Sequence, residues 1–244
     1  MWIGLLTSIA QAEEVAEGGG FTLTDMWGHA GWIARGVIIT LVFMWLGAIW
    51  VGIERAIAFN RARTQSIVAA GQAAKLLQAG DVGGALKAAS SEQFKASYLA
   101  SILKAGLREV DTNRTAAGIH YAHRSIDKVT VEELAKLRRG MTILATTGST
   151  APFVGLFGTT VGVINAFQGM SSGGSGLASI SAGISEALVT TAFGIFVAVF
   201  GVWLFNYFNH RIEKVTEELS SAQADFLDWA EKLVQSGGKA GSLE

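Results

Sequence analysis

The chain has 244 residues, half of them hydrophobic and only 16% charged, with a net charge of −1. An ordinary soluble domain carries about 25% charged residues, so this composition, with its positive mean hydropathy and 30 glycines against one proline, describes helices packed closely in lipid. A balance near zero provides no bulk field for nucleic acid, and the lack of cysteine excludes a disulfide framework and thiolate metal sites.

The first dozen residues, MWIGLLTSIAQA, have two readings. An apolar stretch ending in Ala-Gln-Ala resembles the end of a signal peptide but lacks a basic n-region; the other reading is a short amphipathic segment lying on the periplasmic face of the membrane that the helices span. Residues 1–32 form an N-terminal segment in either case. From Gly36 to Ile53 the chain has 18 residues without a charge, rich in Val, Ile, Leu, Phe and Trp. A helix needs about 20 apolar residues to cross the hydrocarbon core, so residues 33–53 are the first expected span.

Residues 54–141 read as a helical domain outside the lipid. One helix is expected over 64–79, a turn at 80–84 with Asp81 as a cap, and another helix over 94–110. Thr112 or Asn113 is placed to cap a third helix, in which Ile119, Ala122, Ile126, Val129, Leu134, Leu137 and Met141 carry an approximate apolar stripe onward. No proline stands before Pro152, so one helix over 113–169, about 85 Å long, is expected. No charge occurs from Gly140 to Ser185, and after Glu186 none until Arg211. That length suits two spans, placed at 142–169 and 183–208. The intervening 170–182, containing SSGGSGLASIS, is the turn.

Residues 209–244 continue the third span. Ile212, Val215, Leu219, Ala222, Phe226, Trp229 and Leu233 keep a 3-4-3-4 spacing, the seam of a heptad helix. It serves packing against the chain's own long helix, or a subunit interface. Orientation follows from the basic residues. Segment 55–140 carries 14 Lys and Arg against 7 acids, whereas the N-terminal segment sets Arg35 against Glu13, Glu14, Glu17 and Asp25. Positive segments stay in the cytoplasm, so the N terminus and the 170–182 turn face outward. Trp27 and Trp32 suit the outer interface; Trp50, Trp203 and Tyr207 suit the inner one. The expected fold is an all-α membrane protein with three transmembrane helices, two of them extending into a helical cytoplasmic domain.

Function is sought within the spans. Gly148, Ala151, Gly155, Gly158 and Gly162 in the second, and Gly183, Ala187, Gly194, Ala198 and Gly201 in the third, are small residues that let helices approach closely in lipid. Thr146, Thr147, Ser149 and Thr150 lie toward one end, with Thr159, Thr190 and Thr191 deeper. Thr159 falls about 15 Å and Thr191 about 12 Å from the outer ends of their spans. The antiparallel pair therefore brings both hydroxyls to similar depth, where each has a role in the pore or a bond to its own i−4 carbonyl. Glu186 is the one formally charged side chain in this stretch. An intramembrane carboxylate is a functional-site hypothesis by default; a charge at the bilayer centre costs about 2.5–3.5 kcal/mol on insertion scales. Its readings are a proton-linked or pore-lining role, or snorkelling near the outer end.

The run APFVGLFGTTVGVINAF (151–167) followed by GISEALVTTAFGIFVA (183–198) closely resembles the MotA/TolQ/ExbB proton channel family, on its ExbB/TolQ side. The four-span flagellar branch fits less well. The resemblance implies a bacterial inner-membrane, multi-pass protein with its N terminus periplasmic and its C terminus cytoplasmic. It further implies a homopentamer around a dimer of an ExbD/TolR-like single-span partner whose transmembrane aspartate carries protons, with a TonB- or TolA-like protein engaged indirectly. Thr159 and Thr191 match the family's pore-lining polar positions and Glu186 its glutamate at the start of the third span. Thr160 stands where an apolar residue is common, and the turn is richer in Gly and Ser. The motor reading leaves the load open among TonB-dependent import, Tol–Pal envelope constriction and gliding.

Two readings of another class are a self-sufficient transporter, which requires a charged residue at mid-membrane, and a non-conducting scaffold. His120 and His123 share a helix face but have no third ligand nearby in sequence, so no metal site is expected. SSGGSG lacks the Lys-Ser/Thr of a phosphate loop. No nucleophile with its base is present, so neither enzyme chemistry nor a cofactor is expected.

Overall fold

The computed structural model describes residues 31–171 and 176–240. Among these residues there is no strand. Six helices follow in order: α1 (Trp32–Gln78), α2 (Val82–Ala89), α3 (Tyr98–Thr112), α4 (Ala116–Leu137), α5 (Met141–Ser171) and α6 (Gly176–Ala240), with one 3-10 turn, Glu92–Phe94. Three helices are long and apolar enough to cross a membrane: α1, α5 and α6. The all-helical class and the number of spanning helices agree with the sequence. The N-terminal signal or surface segment, Trp27 and the middle of the SSGGSG turn lie outside the described residues.

Two compact units divide the chain. The first comprises residues up to 48 together with 145–202, the second 49–144 with 203–244. In the first unit, Val37 and Leu41 of α1 are buried with Ala151 of α5 and Val197 and Ala198 of α6; Met44, Trp45, Val154 and Phe193 pack around them. Large apolar side chains such as Phe43, Phe153, Leu188 and Val199 remain exposed, as expected of helices whose outer faces meet lipid.

In the second unit the short helices are set by their caps. Asp81 accepts from the Gly84 amide at 2.7 Å and Ser97 from the Ala100 amide at 3.0 Å, satisfying amides that the first turn of a helix leaves without partners. Asp81 is the cap read from sequence. Thr112 and Asn113 are not: Thr112 ends α3, and Thr115 caps α4 by accepting from Gly118. The seam Ile212, Val215, Leu219 and Phe226 is buried inside this unit, whereas Trp229 is half-buried. A Cβ added to Gly106 of α3 would stand 2.5 Å from Phe226 and 2.8 Å from Ile126. Packing against the chain's own helices therefore accounts for these buried seam positions.

Two expectations about helix continuity need correction. The first span does not stop before a separate helix at 64–79, because α1 runs unbroken through 47 residues. The expected helix over 113–169 is broken at Arg138–Gly140: α4 ends at Leu137, Gly140 adopts φ +77, and α5 begins at Met141. Arg55 is buried at this break and donates from Nη1 to the Lys136 carbonyl at 3.1 Å and from Nη2 to Glu54 at 2.5 Å. It adds a side-chain donor to a last-turn carbonyl that also accepts from the Arg139 amide at 3.3 Å. The turn between α5 and α6 is also shorter than the expected 170–182, since helix resumes at Gly176.

Candidate functional site

The α5–α6 pair is built on small residues facing one another. A Cβ on Gly155 would lie 2.9 Å from the Thr190 carbonyl and 3.2 Å from the Gly194 Cα; one on Gly194 would lie 2.8 Å from the Ala151 carbonyl. Gly158 faces Thr190, Gly162 faces Ala187, and Gly183 faces Ala166. The pairing follows one antiparallel register along the hairpin, and any side chain larger than hydrogen at the glycines would push the backbones apart. Ala198 is buried with Ala151 in the core of this unit.

Both threonines singled out from sequence belong to this hairpin. Thr191 donates its hydroxyl across the pair to the Gly155 carbonyl at 3.1 Å. Thr159, one turn further along α5, donates to the Leu156 carbonyl at 2.7 Å, and Thr160 to the same carbonyl at 3.0 Å. The i−4 bond considered from sequence thus describes Thr160; Thr159 bonds at i−3 and Thr191 bonds another helix. Thr159 and Thr191 are half-exposed. A hydroxyl has one proton and two lone pairs, so each of these side chains, with its proton directed at a carbonyl, presents acceptor capacity to whatever faces it. The surrounding exposed residues, including Leu156, Phe157, Leu188 and Ile195, are apolar.

Glu186 lies one turn before Thr190 on α6. It accepts from the Gly31 backbone and sits in the field of Arg35, while its Oε1 is buried with no hydrogen-bond partner among the described residues. Its compensation therefore comes from the start of α1 in the same chain. His123 lies 3.0 Å from Asp127, and His120 is beside Tyr121.

Thr190 was named from sequence among the deeper threonines but given no role of its own. It is fully buried, donates to the Ala187 carbonyl at 2.7 Å, and would stand 2.6 Å from a Cβ on Gly158. Its adjacency to Thr191 conceals a different task, filling the helix contact instead of facing outward. Helical spacing relative to Gly183, Ala187 and Gly194 was the available signal.

Comparison with known proteins adds to this geometry. Over 110 residues the chain is 38% identical to the biopolymer transport protein ExbB of Xanthomonas campestris pv. campestris (strain B100), covering 45% of this chain and 44% of that protein. It is 32% identical over 140 residues to the Tol-Pal system protein TolQ of Pseudomonas aeruginosa, covering 54% and 61%. It is 30% identical over 197 residues to ExbB of Pseudomonas putida, covering 79% and 57%. The matched regions thus span about half the length of these relatives. The family profile described as the MotA/TolQ/ExbB proton channel family matches residues 95–221, more than half of the chain, including α5 and the Thr- and Gly-bearing part of α6. By that match and by its three spanning helices, the chain belongs to the MotA/TolQ/ExbB proton channel family.

Proposed function

We propose that this protein is the ring-forming subunit of an inner-membrane, proton-driven motor of the ExbB type, which couples proton flow to work on the outer membrane. The carrying observation is the close-packed α5–α6 hairpin, in which Thr159 and Thr191 present hydroxyl oxygens amid apolar side chains. In this reading five copies surround a dimer of an ExbD/TolR-like single-span partner, with the N terminus periplasmic and residues 55–140 and the C-terminal helix cytoplasmic, as the basic residues favour.

The partner's transmembrane aspartate carries the proton. Thr159 and Thr191 direct their protons at carbonyls of their own chain, so the oxygens they offer accept a hydrogen bond from the protonated acid. The ionised carboxylate is an acceptor only, and meets the wall favourably when a hydroxyl turns away from its carbonyl or water intervenes. Each proton taken up or released thus changes the preferred position of the partner relative to the ring. The membrane potential provides about 2.3 kcal/mol per charge per 100 mV, enough to bias steps between shallow wells. Glu186, near the outer end of α6 and compensated by Arg35, conditions the mouth of this path.

A TolQ-type role in the Tol–Pal system is the second reading, favoured by the match to the Pseudomonas aeruginosa protein. Purification in mild detergent followed by native mass spectrometry tests the motor and identifies the load. The expected result is five copies with two copies of a single-span protein bearing a transmembrane aspartate, whose periplasmic domain distinguishes TonB from Tol partners. A stable monomer or dimer lacking any such companion would overturn the proposal and favour a scaffold.

A further inference from the structure

The second unit holds a cavity of about 350 Å³ that the proton path does not use. That size falls at the lower end of the range, about 300–1,000 Å³, that takes small-molecule ligands. Arg63 of α1 and Arg211 and Lys214 of α6 supply three cations to its wall, Tyr98 and Tyr207 two phenols, and Glu218 a carboxylate. The hydroxyl of Tyr98 donates to Glu218, so the one carboxylate of the wall is already engaged. Burial, followed by the Glu218 contact, raises the Tyr98 phenol above its ordinary value, which keeps that donor protonated. None of the three cations takes part in an ion pair among the described residues.

Arg211 is aimed before any ligand arrives. One Nη donates to the Tyr207 hydroxyl at 2.8 Å, and the guanidinium lies 5.3 Å from the centroid of that ring. An arginine anchored to a phenol through one nitrogen and drawn to its ring keeps the rest of its fork for an anion, and that anchoring reduces the entropy lost on binding. Long helical side chains lean toward the N terminus of their helix. On α1 and α6 alike, that direction leads back toward the spanning segment. Arg211 is the first charged residue after the third apolar run, and Trp203 and Tyr207, whose rings lie stacked with centroids 6.5 Å apart, supply the aromatic residues typical of a membrane–water boundary.

From this geometry we infer that the cavity is a binding site for a phosphate-bearing anion, supplied by the headgroup of an acidic phospholipid. A phosphodiester oxygen pair matches the planar guanidinium of Arg211, Lys214 and Arg63 add point charges, and the phenols accommodate a glycerol-like remainder. Basic pockets between membrane helices on the cytoplasmic side are suited to such headgroups. Occupation would tie α1 to α6 through a ligand instead of through a direct ion pair.

The test uses the full chain purified in detergent and probed by native mass spectrometry with dioctanoyl phosphatidylglycerol, dioctanoyl phosphatidylcholine and inorganic phosphate. The expected result is one phosphatidylglycerol retained per chain, bound at least tenfold more tightly than phosphatidylcholine. Affinity should fall at least tenfold in the Arg211→Gln/Lys214→Gln double variant, whose circular dichroism should match the parent. Glu218→Gln, which removes the opposing charge, should strengthen binding several-fold and gives a readout independent of the double variant. Displacement of the lipid by submillimolar inorganic phosphate would support the anion site and overturn the lipid as its occupant. Equal retention of both lipids, or binding unchanged in the double variant and in Glu218→Gln, would overturn the site itself.

Discussion

Gly194→Ala tests whether the α5–α6 hairpin depends on backbone contact. The added Cβ would stand 2.8 Å from the Ala151 carbonyl oxygen and 3.0 Å from the Gly155 Cα, against the 3.4–4 Å of ordinary contact. Both neighbours are main chain, so no rotamer change relieves the overlap, and the helices must part by roughly half an ångström. Overpacking of this kind costs about 1–3 kcal/mol. Alanine also gains about 0.8–1 kcal/mol of helix propensity over glycine, so the raw effect is a smaller net loss. Gly47→Ala removes that ambiguity, because Gly47 lies within α1 and a Cβ there meets nothing within 4 Å in the chain. The difference between the two variants isolates the overlap and should be about 1–3 kcal/mol, or roughly 5- to 150-fold in the unfolding equilibrium. Reversible unfolding of the purified protein in mixed micelles measures it. The same separation carries the 3.1 Å bond from Thr191 to Gly155 beyond hydrogen-bonding range, so energised transport should fall as well. A Gly194→Ala protein as stable as Gly47→Ala would refute the account of the hairpin.

Thr159→Ser keeps an acceptor oxygen, whereas Thr159→Val keeps the shape without it; proton-driven uptake in cells should survive the first and fall at least tenfold in the second, and equal activity would remove Thr159 from the path. Arg55→Met removes the 3.1 Å donor to the Lys136 carbonyl, which keeps the Arg139 amide, a loss of about 0.5–1.5 kcal/mol. Hydrogen exchange across 136–141 should accelerate accordingly, and unchanged exchange would show that the break holds without Arg55. Gly140→Ala places a side chain at φ +77 with its Cβ 3.1 Å from Val51; the left-handed conformation alone costs about 1–2 kcal/mol, and a melting temperature equal to the parent's would count against it. Because the folded-state value of Tyr98 is raised, its contribution to stability is complete below the ordinary tyrosine value near 10 and is lost as pH climbs through the folded value. The difference in tyrosinate absorbance between the parent and Tyr98→Phe should therefore titrate above about 10, and a midpoint at the ordinary value would refute the burial argument.

The apolar runs and small residues made the three spanning helices and the α5–α6 contact legible, because lipid imposes length and close approach on the sequence itself. Helical rise alone placed Thr159 and Thr191 at similar depth within one hairpin, and the family resemblance supplied the role expected of them. Their bonding partners were not legible: one turns to its own helix and the other to a neighbour, a choice made by rotamer and local crowding. At Arg138–Gly140 a helix-stop signal was present, since basic residues followed by glycine mark a C-terminus. The apolar positions Leu137 and Met141 on either side sustained the periodicity across it, and the buried partner that reinforces the stop, Arg55, lies 81 residues from Lys136. The cavity of the second unit was hidden for the same reason. Arg63, Tyr98 and Arg211 come from three distant stretches, and sequence periodicity says nothing about which helices become neighbours.

The two legs of the hairpin differ in continuity: α6 is a single 65-residue helix, whereas α5 meets α4 at the left-handed corner of Gly140. A corner of that kind can flex without breaking the hydrogen-bond ladder of either helix, and an unbroken helix has no such point. In the proposed motor, any recoil felt by a subunit would therefore find its compliance in one leg of the hairpin and not in the other.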